Sequence, residues 1–153
     1  MKIYIATDHG GYDMKQALAS YVEKDLGYVV ADMGAHQLDT NDDYPDFISL
    51  AATEVSHDPS GSLGIILGGS GQGEAIVANR FPNVRCTVYY GGSLDIIKLS
   101  REHNNANMLS LGARFMSADE AKAAVKLWLS TAFTGEDRHV RRIKKIEKIW
   151  PYR

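Results

Sequence analysis

LGIILGGSGQGEAIVANR, residues 63–80, passes from an apolar run into a loop with glycine at 68, 69, 71 and 73 and then into a helical pattern. A strand, a glycine-rich loop and a helix in that order form the repeating unit of parallel α/β sheets. Glycines let the backbone turn sharply and bring N–H groups close to a ligand, and the helix N-terminus adds partial positive charge. The loop is therefore a seat for a phosphate, or for an oxyanion that forms during a reaction. Glu74 on the first helical turn would repel a bound phosphate. It fits a site that stabilises an enediolate while a carboxylate moves a proton.

Commoner glycine motifs fail on named residues. A Walker A loop ends in Gly-Lys-Ser/Thr, and Gly73-Glu74 denies it. A dinucleotide fingerprint from Gly69 needs glycine at 74 and belongs after the first strand, not the third. A hydrolase elbow on Ser70 needs glycine where Gln72 stands. The bland alternative is a glycine-rich turn that binds nothing.

Outward from this unit the chain alternates regularly. Lys2–Thr7 reads as a buried strand, Tyr12–Leu26 as a helix and Tyr28–Met33 as a second strand. A polar loop runs through Asp43, and Pro45 suits the first turn of a helix reaching about His57. Strand three is Leu63–Leu67, strand four Arg85–Tyr90, and strand five Met108–Leu111. Helices are expected from about Ser93 to Glu102 and over Ala118–Thr131. This pattern predicts one α/β domain over 1–153, with a parallel sheet covered on both faces. At 153 residues such a domain buries about two-thirds of its unfolded surface.

Hydrophobic content of 44% and charged content of 24% are ordinary for a soluble globular domain, and no apolar run approaches the ~20 residues of a membrane span. The opening MKIYIAT runs directly into a strand, so we expect a cytoplasmic protein without a secretory signal. The single cysteine, Cys86, excludes an internal disulfide, and its apolar surroundings favour buried packing over nucleophilic work. Five histidines without paired ligand spacing give no metal signature.

Charge is unevenly spread. Residues 1–137 carry 10 Lys/Arg against 18 Asp/Glu, a balance of −8, whereas 138–153 carry 7 against one, or +6. An acidic body repels a polyanion, and no aromatic platform is interleaved with the basic residues, so nucleic acid is not the expected partner. The basic tail suits a small anion or an acidic protein surface. Val140, Ile143, Ile146 and Trp150 recur in it at helical spacing, a stripe that must be covered. Gly135 offers a break before it. The helix either packs across a two-fold axis on a sister subunit or folds back on its own sheet.

In an open parallel sheet, ligands sit beyond the carboxyl ends of the strands, where the winding reverses. A flavodoxin-like winding places that crevice between strands one and three, next to Asp8-His9-Gly10-Gly11 and the 68–73 loop. Read singly, Asp8 and His9 can cap a helix, Tyr44 can staple one and His103 can end one.

The ordered blocks ATDHGG (6–11), DYPD (43–46), GGSGQGE (68–74), SREHNNAN (100–107), LGAR (111–114) and DRHVRR (137–142) resemble the type B ribose-5-phosphate isomerase family. That family includes galactose-6-phosphate and allose-6-phosphate isomerases, and the resemblance spans nearly the whole chain. It implies a Rossmann-like three-layer α/β/α sandwich around a five-stranded parallel sheet. It also implies a homodimer or tetramer with active sites between subunits, and a C-terminal helix at about 138–150 that reaches the partner. Many members carry a catalytic cysteine immediately before the loop's glycine-threonine. Gly68 stands there in this chain, so the resemblance is to the subgroup in which a glutamate after the loop, Glu74, is the base.

Position by position, the resemblance implies that His103 opens the sugar ring with help from Asp8, that Asn104 binds substrate oxygens and that Tyr44 lines the sugar site. Ser70 keeps the hydroxyl of the usual threonine, and Asn105 stands where an aspartate is common. His9, Arg114, and Arg138 and Arg142 of the partner form the phosphate-binding set, with His139 between them in the DRHVRR block. N–H groups of Gly69, Gly71 and Gly73 and the Ser70 hydroxyl would face the developing oxyanion. The implied reaction is aldose–ketose isomerisation of ribose 5-phosphate through a cis-enediol, with no metal or other cofactor. Allose-6-phosphate and galactose-6-phosphate isomerisation are the alternatives. A non-catalytic phosphosugar-binding module would explain the loop and the tail but not Glu74 together with His103.

Overall fold

The computed structural model describes residues 1–149. Five strands, β1 (Lys2–Thr7), β2 (Val29–Asp32), β3 (Ser62–Gly68), β4 (Cys86–Tyr89) and β5 (Met108–Gly112), form one sheet. Six helices alternate with them: α1 (Tyr12–Lys24), α2 (Tyr44–His57), α3 (Gln72–Ala78), α4 (Asp95–Glu102), α5 (Ala118–Ser130) and α6 (Asp137–Glu147). Every strand pairing is parallel, as the alternation predicts. Pro45 does occupy the first turn of α2. The helix expected from Ser93 starts later, at Asp95, because the Ser93 hydroxyl accepts from the Asp95 N–H at 3.2 Å and holds the entry as a turn.

The strand order is β2-β1-β3-β5-β4, so the winding departs from the flavodoxin order at its far edge. β5 enters between β3 and β4. The burial explains this: all five residues of β5 are buried, whereas three of the four in β4 are only half-buried. The more apolar strand takes the interior position and the mixed one the edge. The reversal between β1 and β3, which makes the crevice, is unaffected.

Alternation along β1 sends Ile3 and Ile5 to one face and Tyr4 and Ala6 to the other. The first face packs Ile65, Leu67, Leu109 and Leu111 against Leu18, Val22, Val125 and Trp128 of α1 and α5. The second packs Ile66 and Met108 against Ile48, Ala51, Ala52 and Val55 of α2 and Ala78 of α3. Each fully buried Leu, Ile or Val contributes roughly 1.5–3 kcal/mol. One cation is sunk among these groups: Lys15 is fully buried, its Nζ donating to both Asp32 oxygens at 2.6 Å and to the Ala35 carbonyl at 2.7 Å. It fastens α1 to the end of β2.

Gly135, at φ +69°, breaks the chain before α6. Along the apolar stripe of α6, Val140 and Ile143 are half-buried, while Ile146 is 48% exposed. The helix thus starts against its own domain and then departs from it. Trp150, the last residue of the expected stripe, lies outside the described residues.

Candidate active site

β3 delivers its glycine loop to the carboxyl end of the sheet. Gly71 is the N-cap of α3 at φ +77°, and a Cβ there would sit 3.0 Å from the Leu111 carbonyl carbon. Only glycine meets both demands. Three hydrogen bonds tie the loop to the end of β5. The Ser110 hydroxyl donates to the Gly71 carbonyl at 2.6 Å, Ala113 N–H to Gly68 O at 2.9 Å, and Arg114 N–H to Gly69 O at 3.1 Å.

Glu74 points back from α3 and is 4% exposed. Its carboxylate fills the space that a side chain on Gly68 would take. Two opposed influences act on this carboxyl, and burial wins. It raises the pKa, the nearby charge of Asp8 adds to the rise, and a hydrogen bond from its own backbone N–H opposes it. Across the crevice, Asp8 is 7% exposed and its Oδ1 accepts from Gly10 N–H at 2.8 Å, so it also caps the short 3-10 turn His9–Gly11. Tyr44 brings its ring over Gly73, where a Cβ would lie 2.8 Å from the phenol oxygen. The Arg114 guanidinium lies over Gly69. Asp8, His9, Tyr44, Gly69, Ser70, Gly73, Glu74 and Arg114 thus share one open cavity of about 440 Å³, together with Gly10 and Phe115.

His9 has a partner that the sequence did not disclose. Asp42 Oδ1 accepts from the His9 backbone N–H at 3.0 Å and stands 2.6 Å from its Nδ1. The hydrogen bond to Asp42 raises the imidazole pKa, with the charges of Asp8 and Asp42 helping and burial and Arg114 opposing. The pairing spans 33 residues, and its one local sign is the Asp42-Asp43 pair ahead of Tyr44-Pro45. Asp8, His9 and Asp42 each bring a donor atom within 4.8 Å of the others, a spacing open to a metal ion. The His9–Asp42 ion pair already accounts for their closeness.

The other predicted residues lie elsewhere in this chain. His103 ends α4, its N–H donating to the Leu99 carbonyl, and the chain then enters β5 from its amino end. Its ring stacks on His139 of α6, centroids 4.2 Å apart and 13° from parallel. His139 is 3% exposed, and its buried Nε2 has no hydrogen-bond partner among the described residues, Glu136 Oε2 standing 3.9 Å away. Burial first, then the positive charges of His103, Arg138 and Arg142, lower its pKa, and Glu136 opposes them. Asn104 lines a second cavity of about 260 Å³ with Arg85, Cys86 and Ile146. At about 3.3 Å per residue, the length of β5 separates this group from the glycine loop by more than ~10 Å along the sheet. One chain therefore presents two half-sets. Asp8, His9, Tyr44, Ser70, Glu74 and Arg114 gather at the carboxyl end; His103, Asn104, Arg138, His139 and Arg142 gather towards the amino end. Cys86 belongs to neither carboxylate nor loop. Burial and the Glu74 charge push its thiol pKa far up, which keeps it protonated and unreactive.

An α/β sandwich with a buried carboxylate beside a glycine loop at the winding reversal is the scaffold of a small-molecule enzyme. The sequence model of the ribose/galactose isomerase family matches residues 3–146, and the chain belongs to that family. Ribose-5-phosphate isomerase B of Mycobacterium tuberculosis is 43% identical over 143 residues, covering 94% of this chain and 86% of that protein. The structure of ribose-5-phosphate isomerase B from Mycoplasma genitalium with bound ribulose-5-phosphate superposes with a TM-score of 0.93 at 35% identity, covering 99% of this chain and 97% of that one. The Clostridium thermocellum ribose-5-phosphate isomerase B structure gives 0.89 at 40% identity, with 97% of both chains covered. Among the described residues, no helix is long and apolar enough to cross a membrane.

Proposed function

We propose that this chain interconverts ribose 5-phosphate and ribulose 5-phosphate through a cis-enediol, as a cytoplasmic enzyme of the non-oxidative pentose phosphate pathway. The observation that carries the reading is the Glu74 carboxylate, buried beside Gly68 under a loop whose Gly69, Ser70 and Gly73 line the same cavity. The names of the relatives support it.

In the open-chain aldose, Glu74 takes the proton from C2. The C2–H electron pair forms the C1–C2 double bond, and the carbonyl electrons move onto O1. The N–H groups of Gly69, Gly71 and Gly73 and the Ser70 hydroxyl stabilise that charge, where a lost donor costs on the order of a hundredfold in rate. Return of the proton to C1, with the hydroxyl proton passing from O2 to O1, gives the ketose. Tyr44 borders the sugar. His9 and Arg114 meet the phosphate, Arg114 through its fork of donors.

The remaining roles call for a second copy. His103 and Asn104 cannot reach Asp8 or Glu74 of their own chain across the length of β5. A homodimer, or a tetramer of such dimers, brings the His103, Asn104, Arg138, His139 and Arg142 set of one subunit to the Glu74 set of the other. The emerging stripe of α6 supports this arrangement of a single domain with its last helix on the partner. Ring opening by His103 with Asp8 then takes place between subunits.

Mixing an Arg142→Ala chain with a Glu74→Gln chain tests both claims. Each alone is nearly inactive. A mixed dimer has one doubly damaged site and one sound one, so random mixing restores about a quarter of the wild-type activity per chain. Demonstrated mixed dimers without recovery would refute the shared site. Turnover of allose 6-phosphate or galactose 6-phosphate above that of ribose 5-phosphate would refute the five-carbon assignment.

A further inference from the structure

We infer that Asp42 is a positioning residue of the anion end of the site: it fixes the His9 imidazole so that Nε2–H is presented to the cavity as a cationic donor. This rests on the reading of His9 as a phosphate contact. The two-point grip on His9, through its backbone N–H and its Nδ1, sets both the path of the loop after β1 and the plane of the ring. With Nδ1 committed to Asp42, Nε2 is the ring nitrogen left for a ligand.

The Asp42 carboxylate is itself enclosed. Its side chain is 8% exposed, and Oδ2 is buried with no hydrogen-bond partner among the described residues. A buried carboxylate with one oxygen unsatisfied is costly unless a positive charge faces it. His9 supplies that charge only when protonated. The cation that meets the ligand and the carboxylate that lacks a second partner therefore sustain one another. Three charged groups face the imidazole: Asp42 from the loop before α2, Asp8 Oδ2 at 3.9 Å from the end of β1, and Arg114 from the loop after β5. The two carboxylates hold the proton on, and Arg114 opposes them. Between ordinary histidine pKa and the raised value, Asp42 keeps His9 cationic while the phosphate is already a dianion.

Asp42→Asn keeps the shape and removes the charge. We expect KM for ribose 5-phosphate and the inhibition constant of inorganic phosphate to rise together, about tenfold just above the ordinary histidine pKa and by less below it, with the loss in KM rather than kcat. The His9 imidazole, followed by NMR in labelled protein, should titrate at lower pH in Asp42→Asn than in the wild type. An unchanged His9 titration, or a loss in kcat alone that is uniform with pH, would overturn the assignment. His9→Ala separates the layers. If it leaves KM and phosphate inhibition untouched, the reading of His9 as a phosphate contact fails. If it impairs both while Asp42→Asn does not, only the role of Asp42 fails.

Discussion

Gly68→Ala adds one methyl group to a strand residue whose backbone any amino acid can adopt. The methyl would overlap the Glu74 carboxylate, lying 2.7 Å from Oε2 and nearer still to its other atoms. Ordinary carbon contacts begin near 3.5 Å, so the carboxylate must retreat by more than ~1 Å. A displacement of that size at a proton-transferring group costs on the order of a hundredfold in rate. Overpacking should add a loss of about 1–3 kcal/mol of stability. The expected result is kcat for ketose formation lowered about a hundredfold, KM changed little because the phosphate contacts lie elsewhere, and a lower urea midpoint. Exchange of the ketose C1 proton with solvent should fall in parallel, since it uses the same carboxylate. Wild-type kcat in a folded Gly68→Ala chain, alongside an inactive Glu74→Gln, would refute the argument that the glycine clears the base's working position.

Two further expectations concern charge. Burial raises the Glu74 pKa, and a base in the proposed role works ionised, so kcat/KM should climb with pH through a value above the ordinary glutamate range. The folded chain also binds that proton more tightly than the unfolded one, so stability falls as pH rises from the unfolded pKa to the raised one. Glu74→Gln should therefore melt above the wild type at pH 8 while losing several orders of magnitude in kcat; a lower melting point would refute the sign. Lys15→Met removes the donor from Asp32 and the Ala35 carbonyl. Because Asp32 is 34% exposed, the loss should sit at about 2–3 kcal/mol, at or just below the ~3–5 kcal/mol of a fully buried pair, and a change under ~0.5 kcal/mol by urea unfolding would refute the pair's importance.

The elements were legible where the signal is local. An apolar run followed by glycines marks β3 and its loop, and Tyr44-Pro45 marks the start of α2. The order of β4 and β5 was not, because strand pairing compares burial between segments far apart in the chain. Glu74 could be singled out because a carboxylate conflicts with a phosphate cradle. Asp42 could not, since an aspartate in a polar loop reads as solvated until the fold brings it 2.6 Å from His9. The resemblance gathered His103 and Glu74 into one site. Only the course of the chain around β5 reveals that they stand at different ends of the sheet.

All seven residues of β3 are buried, and β1 and β5 flank it on both sides. Amide hydrogens at Ile65–Leu67 can exchange only when the sheet comes apart, whereas the exposed turns of α6 open locally. Deuterium uptake will thus run slowest in the segment from which the glycine loop is hung. The wall proposed to meet the developing charge is anchored in the least yielding part of the molecule, which leaves accommodation of a sugar to the side chains opposite.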